Sequence, residues 1–211
     1  MTRSPDASGQ EYAERCFRSS AGIGGGVLLL ALSAWLGGDA MLRGTGNAPW
    51  LALAGLLFAV PLIVAFTIRP AVWAGEDRLL VRNPFRTITL PWASVEGVRA
   101  GYSSEVFAGG KKYQLWAIPV SLKQRKRAAR RQARDAAEDV TGRVSVTAAA
   151  RPAAGALRAP SDQAIEDLRE LAERGASREG AQGSPSVRWA YEVVVPSVVG
   201  LALFAGLAVA G

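Results

Sequence analysis

The chain has 211 residues, 25 Lys and Arg against 18 Asp and Glu, a net charge of +7, no histidine and a single cysteine, Cys16. These counts exclude an intrachain disulfide and remove both the commonest general base at neutral pH and the commonest metal ligand. Hydrophobic residues make up 49% of the chain, so apolar content and charge must be segregated along it.

Residues 1–20 form a polar tail in which Arg3, Arg15 and Arg18 stand beside Asp6, Glu11 and Glu14. Residues 21–42 are the first apolar segment, centred on Val27-Leu28-Leu29-Leu30-Ala31-Leu32. A helix needs about 20 residues to cross the ~30 Å hydrocarbon layer, and this run is long enough. The mixed charge of the leader, and a second apolar run close behind, argue for a retained span over a cleaved signal peptide. Gly22-Ile23-Gly24-Gly25-Gly26 is not a dinucleotide loop, because Val27 stands where the third glycine belongs. Gly22 with Gly26, and Ala202 with Gly206 further on, instead fit the small-xxx-small spacing of packed spanning helices. Residues 49–68 form the second span, in a charge-free interval between Arg43 and Arg69 with Trp50 at one end.

From residue 69 to 174 the pattern is that of a soluble domain. Short strands are predicted at 71–74, 78–82, 85–92, 95–102, 105–108 and 112–118, six by residue 119, separated by turns at Gly75-Glu76-Asp77, Asn83-Pro84 and Gly109-Gly110. The clearest alternation puts Ile88, Leu90 and Trp92 on one face and Thr87 and Thr89 on the other, the period of a half-buried strand. Such close spacing predicts a small antiparallel barrel or sandwich. Residues 161–174 read as a closing helix: Ser161 as cap, Asp162 in the first turn, an Ile165, Leu168, Leu171 and Ala172 stripe, and Gly175 as the stop. The fold class is thus three transmembrane helices with an α+β soluble domain.

A basic helical insertion is predicted at 121–139, where seven of the twelve residues 123–134 are cationic: Lys123, Arg125, Lys126, Arg127, Arg130, Arg131 and Arg134. In a helix, all but Arg125 fall within an arc of roughly 140°. Three readings stand side by side: a solvated extension, a contact for anionic inner-leaflet lipid, and a contact for nucleic acid or an acidic protein. No aromatic residue interleaves the cations, so base stacking has no support. Tethering to a membrane also favours lipid over nucleic acid, each Lys or Arg near an anionic surface contributing ~1 kcal/mol. Residues 148–160 and 175–188, rich in Ala, Pro and Gly, read as linkers.

Residues 191–211 are the third span, with Trp189 and Tyr191 in the interfacial position. Pro61 and Pro196 are tolerated in spanning helices. The tail and the flank holding Arg69, Arg78, Arg82 and Arg86 are rich in arginine, whereas the connection 40–49 has only Arg43. The positive-inside rule then predicts a multi-pass protein of the inner (plasma) membrane, with N-terminus and domain cytoplasmic and C-terminus outside.

The acid pairs Glu76/Asp77 and Glu166/Asp167, with Glu170 and Glu173, have no nucleophile or base partner nearby in sequence, and no metal-ligand spacing occurs. Catalytic, cofactor-binding and metal-binding residues are therefore expected to be absent.

The run from Trp73 to Trp92, with Arg82-Asn83-Pro84, Trp92 and Val95 as its pattern, resembles the bacterial pleckstrin-homology (PH)-like domains. The similarity is to the actinobacterial group named after low molecular weight protein antigen 6, over roughly residues 69–120. That resemblance implies two spans ahead of a PH-like barrel of about seven strands with a closing helix, and it carries over no catalytic residue. The missing seventh strand is expected at 142–147, after the insertion. The expectation is a non-enzymatic binding or scaffold module on the cytoplasmic face, contacting anionic lipid. The alternative is a structural or accessory subunit of an envelope complex, packed on another membrane protein.

Overall fold

In a computed structural model of the chain, the residues described are 15–101, 103–119 and 160–210. Among these residues three helices are long and apolar enough to cross a membrane: α1 (Ser20–Arg43), α2 (Ala48–Ile63) extended by a π-helical turn (Val64–Ile68), and α4 (Tyr191–Ala210). Ser19 caps α1, its hydroxyl accepting from the Gly22 N–H at 3.1 Å. Pro49 stands in the first turn of α2, where its missing N–H costs nothing. Pro61 then frees a carbonyl inside α2, and the ladder re-forms as the π turn, closed by Arg69 N–H on the Val64 carbonyl at 2.8 Å.

The helices pack through small residues, on faces that differ in part from the expected ones. Gly22 and Gly26 do meet a neighbour: a side chain at Gly26 would collide with Thr67. On α4 the contact runs through Val193, Ser197 and Gly200, all buried. A side chain at Gly200 would run into the α2 backbone at Leu57 and Phe58, whereas Gly206 has no neighbour within 4 Å. Within the chain the contact thus runs through Gly200 and not through the predicted Ala202–Gly206 pair. Spacing marks which residues are small, but the partner helix decides which of them it meets. Beyond this contact Asn47, in the α1–α2 connection, donates from Nδ2 to the Leu207 carbonyl at 2.8 Å.

Outside the long helices, every strand pairing among the described residues is antiparallel. A five-stranded sheet has the order β1 (Arg15–Phe17), β2 (Ala71–Ala74), β3 (Arg78–Arg82), β4 (Arg86–Pro91) and β8 (Ser186–Trp189). A three-stranded sheet follows the order β5 (Val95–Ala100), β6 (Ser104–Ala108) and β7 (Lys111–Gln114). Gly109 and Gly110 make the β6–β7 turn with φ of +55° and +68°, the pair of positive values that a tight hairpin requires. Helix α3 (Pro160–Gly175) lays Ile165 and Leu168 on a core shared with Val72, Leu79, Val81, Ile88, Leu90 and Trp92. Each such aliphatic side chain contributes about 1.5–3 kcal/mol on full burial. Trp92, 1% exposed, satisfies its indole N–H on the Gly75 carbonyl at 3.0 Å, and its ring lies against Gly175 where α3 stops.

Four details differ from the sequence reading. Residues 15–17 of the predicted tail are strand β1. The predicted linker 175–188 holds a 3-10 turn, Glu179–Ala181, and most of β8. Residues 115–118 leave the strand for a turn in which Ile118 N–H meets the Leu115 carbonyl. Ser161 lies within the first turn of α3, which Pro160 opens, and so does not cap it. The expected insertion 121–139 and seventh strand 142–147 lie outside the described residues, as does the linker 148–160 except for Pro160.

Candidate functional site

All three long helices join the five-stranded sheet at the same end of its strands. Two residues separate β1 from α1, two separate the π turn from β2, and one separates β8 from α4. The register aligns these exits: Phe17 opposes Val72, Ala71 opposes Arg82, Arg82 opposes Thr87, and Arg86 opposes Trp189. Residues far apart in sequence thus form one rim where sheet meets helices. Phe66 of the π turn locks into this rim, edge-on to Phe85 at 5.3 Å and to Trp116 at 5.6 Å. Ala65, Ala190 and Val193 are buried beside Phe85.

The rim is rich in arginine. Arg69, whose side chain is 12% exposed, pairs with Glu192 at 3.0 Å and donates to the Asn83 carbonyl and the Thr87 hydroxyl, both at 3.2 Å. Arg18 and Arg82 both lie over the indole of Trp73, at 5.5 and 4.9 Å from its centroid. Arg86 lies over Trp189 at 5.6 Å. Trp73 reaches this outer face because Val72 and Ala74, its neighbours in β2, point into the core. Among the described residues neither Arg18 nor Arg82 has a carboxylate partner, and Arg82 Nε is buried with no hydrogen bond.

Between these cations and the helices lies a cleft of about 470 Å³. Val60, Pro61, Val64, Ile68 and Val193 make its apolar walls, and Arg18, Arg69, Arg82 and Glu192 its polar rim. Three guanidiniums against one carboxylate leave an excess of two positive charges.

A second cleft, of about 420 Å³, lies between the β2–β3 turn and the end of α3. Its charges are already satisfied. Arg178 is held by Glu76 at 2.6 Å and Asp77 at 3.0 Å, Arg15 by Asp167 at 2.9 Å, and Arg174 by Glu170 at 3.5 Å. Of the acids without a nucleophile or base partner in sequence, Glu76, Asp77, Glu166, Asp167 and Glu170 are thus ion-paired in space. In β6, the Ser103 hydroxyl donating at 2.8 Å, and then Lys112 at 3.3 Å, hold the Glu105 carboxyl below its ordinary value. Among the described residues no three His, Cys, Asp or Glu side chains are grouped to hold a metal ion.

The residues predicted to touch an anionic surface, Lys123, Arg125, Lys126, Arg127, Arg130, Arg131 and Arg134, lie outside the described residues. The arginines the structure does bring together, Arg18, Arg69, Arg82 and Arg86, entered the sequence reading as charge and topology markers, and Arg82 also as the first residue of the Arg82-Asn83-Pro84 pattern. The signal that finds them is register. A three-residue turn at 75–77 pairs Ala71 with Arg82 and so returns Arg82 to the end of the second apolar run.

Residues 69–163 match the family described as Bacterial PH domain. The matched stretch runs from the end of α2 to the first turn of α3, and the antiparallel sheets fit a PH-like domain. PH domains are generally binding modules without catalysis. No curated protein and no solved structure matches the chain.

Proposed function

We propose that the chain is an integral membrane protein that holds its PH-like domain against the cytoplasmic face of the plasma membrane, as a non-enzymatic binding or scaffold module. The observation that carries this reading is the common rim. Three helices of spanning length join one end of a single sheet through links of one or two residues, so the domain has no tether on which to swing away from the bilayer. The large apolar side chains exposed along the helices, among them Leu28, Leu36, Leu53 and Leu201, acquire a nonpolar solvent only if the helices are inserted.

Orientation follows from charge. Arg18, Arg69, Arg82, Arg86 and Arg188 gather at the domain end of the helices, and Arg43, paired with Asp39 at 3.2 Å, stands at the other. The positive-inside rule places the arginine-rich end in the cytoplasm. The Lys123–Arg134 segment then lies on the side of the anionic leaflet and supplies a further contact to it, with ~1 kcal/mol for each cation near the surface.

Reporter fusions test the reading. A periplasm-active reporter fused after residue 211 is expected to be active, and the same reporter inserted near residue 154 silent. The reverse pattern inverts the orientation, and equal activity at both sites removes the three-span arrangement. Removal of charge at Arg127, Arg130 and Arg131 is expected to weaken binding to anionic vesicles at low salt. Binding that does not change leaves the domain as an accessory subunit, held only by its helices.

A further inference from the structure

We propose that the cleft at the rim is a binding site for one anionic phospholipid, with Arg18 and Arg82 holding its phosphodiester and the α2–α4 walls receiving its glycerol and upper acyl chains. The inference rests on the membrane reading above and adds a defined site to it, separate from the Lys123–Arg134 segment.

Charge is the first argument. Two guanidiniums share the Trp73 indole and among the described residues have no carboxylate between them, although Arg15, Arg69, Arg174 and Arg178 are each satisfied by acids. Like charges held on one ring repel, and the ring offsets only part of that repulsion. The Nε of Arg82 is buried without a hydrogen bond, an added cost of holding the guanidinium on this ring. A phosphodiester fits because guanidinium donors pair with two of its oxygens at once.

Shape supplies the second argument. Free phosphate needs polar walls on every side, but Val60, Pro61, Val64, Ile68 and Val193 line this cleft. Leu57, one turn below Pro61 on the same stripe of α2, is exposed, so the apolar wall continues along the helix in the direction an acyl chain takes. The cleft also lies at the ends of the spans, at headgroup depth. Arg69 is fixed by Glu192, Asn83 and Thr87 and serves as a rigid side of the site.

The test uses the full chain, purified in nonionic detergent, with Arg127, Arg130 and Arg131 replaced by Gln to remove the other basic segment. An equal mixture of phosphatidylglycerol and phosphatidylcholine is titrated in, and retained lipid is counted by native mass spectrometry. One phosphatidylglycerol per chain is expected, at least fivefold in preference to phosphatidylcholine. Arg18→Gln alone is expected to lower that preference at least threefold, and Arg18→Gln with Arg82→Gln to abolish it. Arg178→Gln, in the cleft whose charges are already paired, should leave it unchanged. Arg18 is exposed, so its variant retains the fold and an unchanged preference there overturns the proposal. Equal retention of the two lipids overturns it as well, as does displacement of the lipid by millimolar glycerol phosphate, which assigns the site to a soluble anion. Carbonate extraction separates this from failure of the membrane reading. A chain released into the supernatant defeats that reading, whereas a chain that stays with the membrane but shows no preference defeats only the lipid site.

Discussion

Asn83 is stitched to Gln114 across the two sheets: its side-chain Nδ2 donates to the Gln114 carbonyl at 2.8 Å, while its Oδ1 accepts from the next amide but one, Trp116 N–H, at 3.4 Å. Asn83 is 5% exposed and belongs to the five-stranded sheet's β3–β4 turn, whereas Gln114 ends β7 of the other sheet. This gives the Arg82-Asn83-Pro84 pattern a physical meaning. The asparagine satisfies backbone groups that the β7 strand leaves open where it ends, and so holds the sheets in register.

Asn83→Ala is therefore expected to cost about 1–2 kcal/mol, since it removes two part-buried hydrogen bonds and leaves their backbone partners without the side chain that pairs them. Thermal unfolding followed by tryptophan fluorescence in detergent measures this. A melting temperature equal to that of the parent protein would show that the stitch contributes nothing.

Arg69 and Glu192 form an asymmetric pair, 12% and 64% exposed. Arg69→Gln removes the ion pair and the bonds to Asn83 and Thr87 together, and is expected to cost about 2 kcal/mol. Glu192→Gln removes only a solvent-screened partner and is expected to cost less than about 1 kcal/mol. The order of the two melting temperatures checks this, and equal losses would contradict it.

The helix contact makes an equally sharp comparison. Gly200→Leu drives a side chain into the α2 backbone and is expected to cost about 3 kcal/mol or to prevent assembly. Gly206→Leu, with open space around it, is expected to be neutral. Detergent melting temperatures that fall equally for both would refute the assigned face of α4.

Glu105 carries a pH dependence. Its carboxyl is held below the ordinary value of 4.5, first by the Ser103 hydroxyl and then by Lys112. A lowered carboxylate stabilises the fold at pH above its unfolded value, and that contribution is lost as pH falls through the folded one. Melting of the parent protein is expected to decline from pH 5 downward more steeply than that of Glu105→Gln. Parallel curves would remove the assignment.

Much of the fold is legible in the sequence because its signals are local. The three apolar runs, the alternation of Ile88, Leu90 and Trp92, the Gly109-Gly110 turn and the Ile165–Leu168 stripe each declare themselves within a few residues. Strand β8 does not. All four of its residues are exposed, so it has no alternation to read, and it is a strand only because β4 offers an open edge. Strand β1 is three residues long with Phe17 half-buried, and is defined in the same way by β2. The rim was hidden for a related reason. Arg18, Arg69 and Arg82 are spread over 64 positions of the chain, and only antiparallel pairing brings them to one cleft. The basic segment had the opposite character, conspicuous in sequence because its charge is contiguous.

The central claim is that one end of a single sheet clamps three spans at the cytoplasmic face, and Cys16 tests it most directly. It is the only cysteine in the chain, is exposed, and lies in β1 next to the first span. A membrane-impermeant maleimide applied to intact spheroplasts is predicted to leave Cys16 unlabelled, and to label it in inside-out vesicles. A Cys16→Ser, Thr45→Cys chain, with its thiol in the α1–α2 connection, is predicted to show the reverse. Labelling of Cys16 in intact spheroplasts, or of both positions from the same side, would contradict the account.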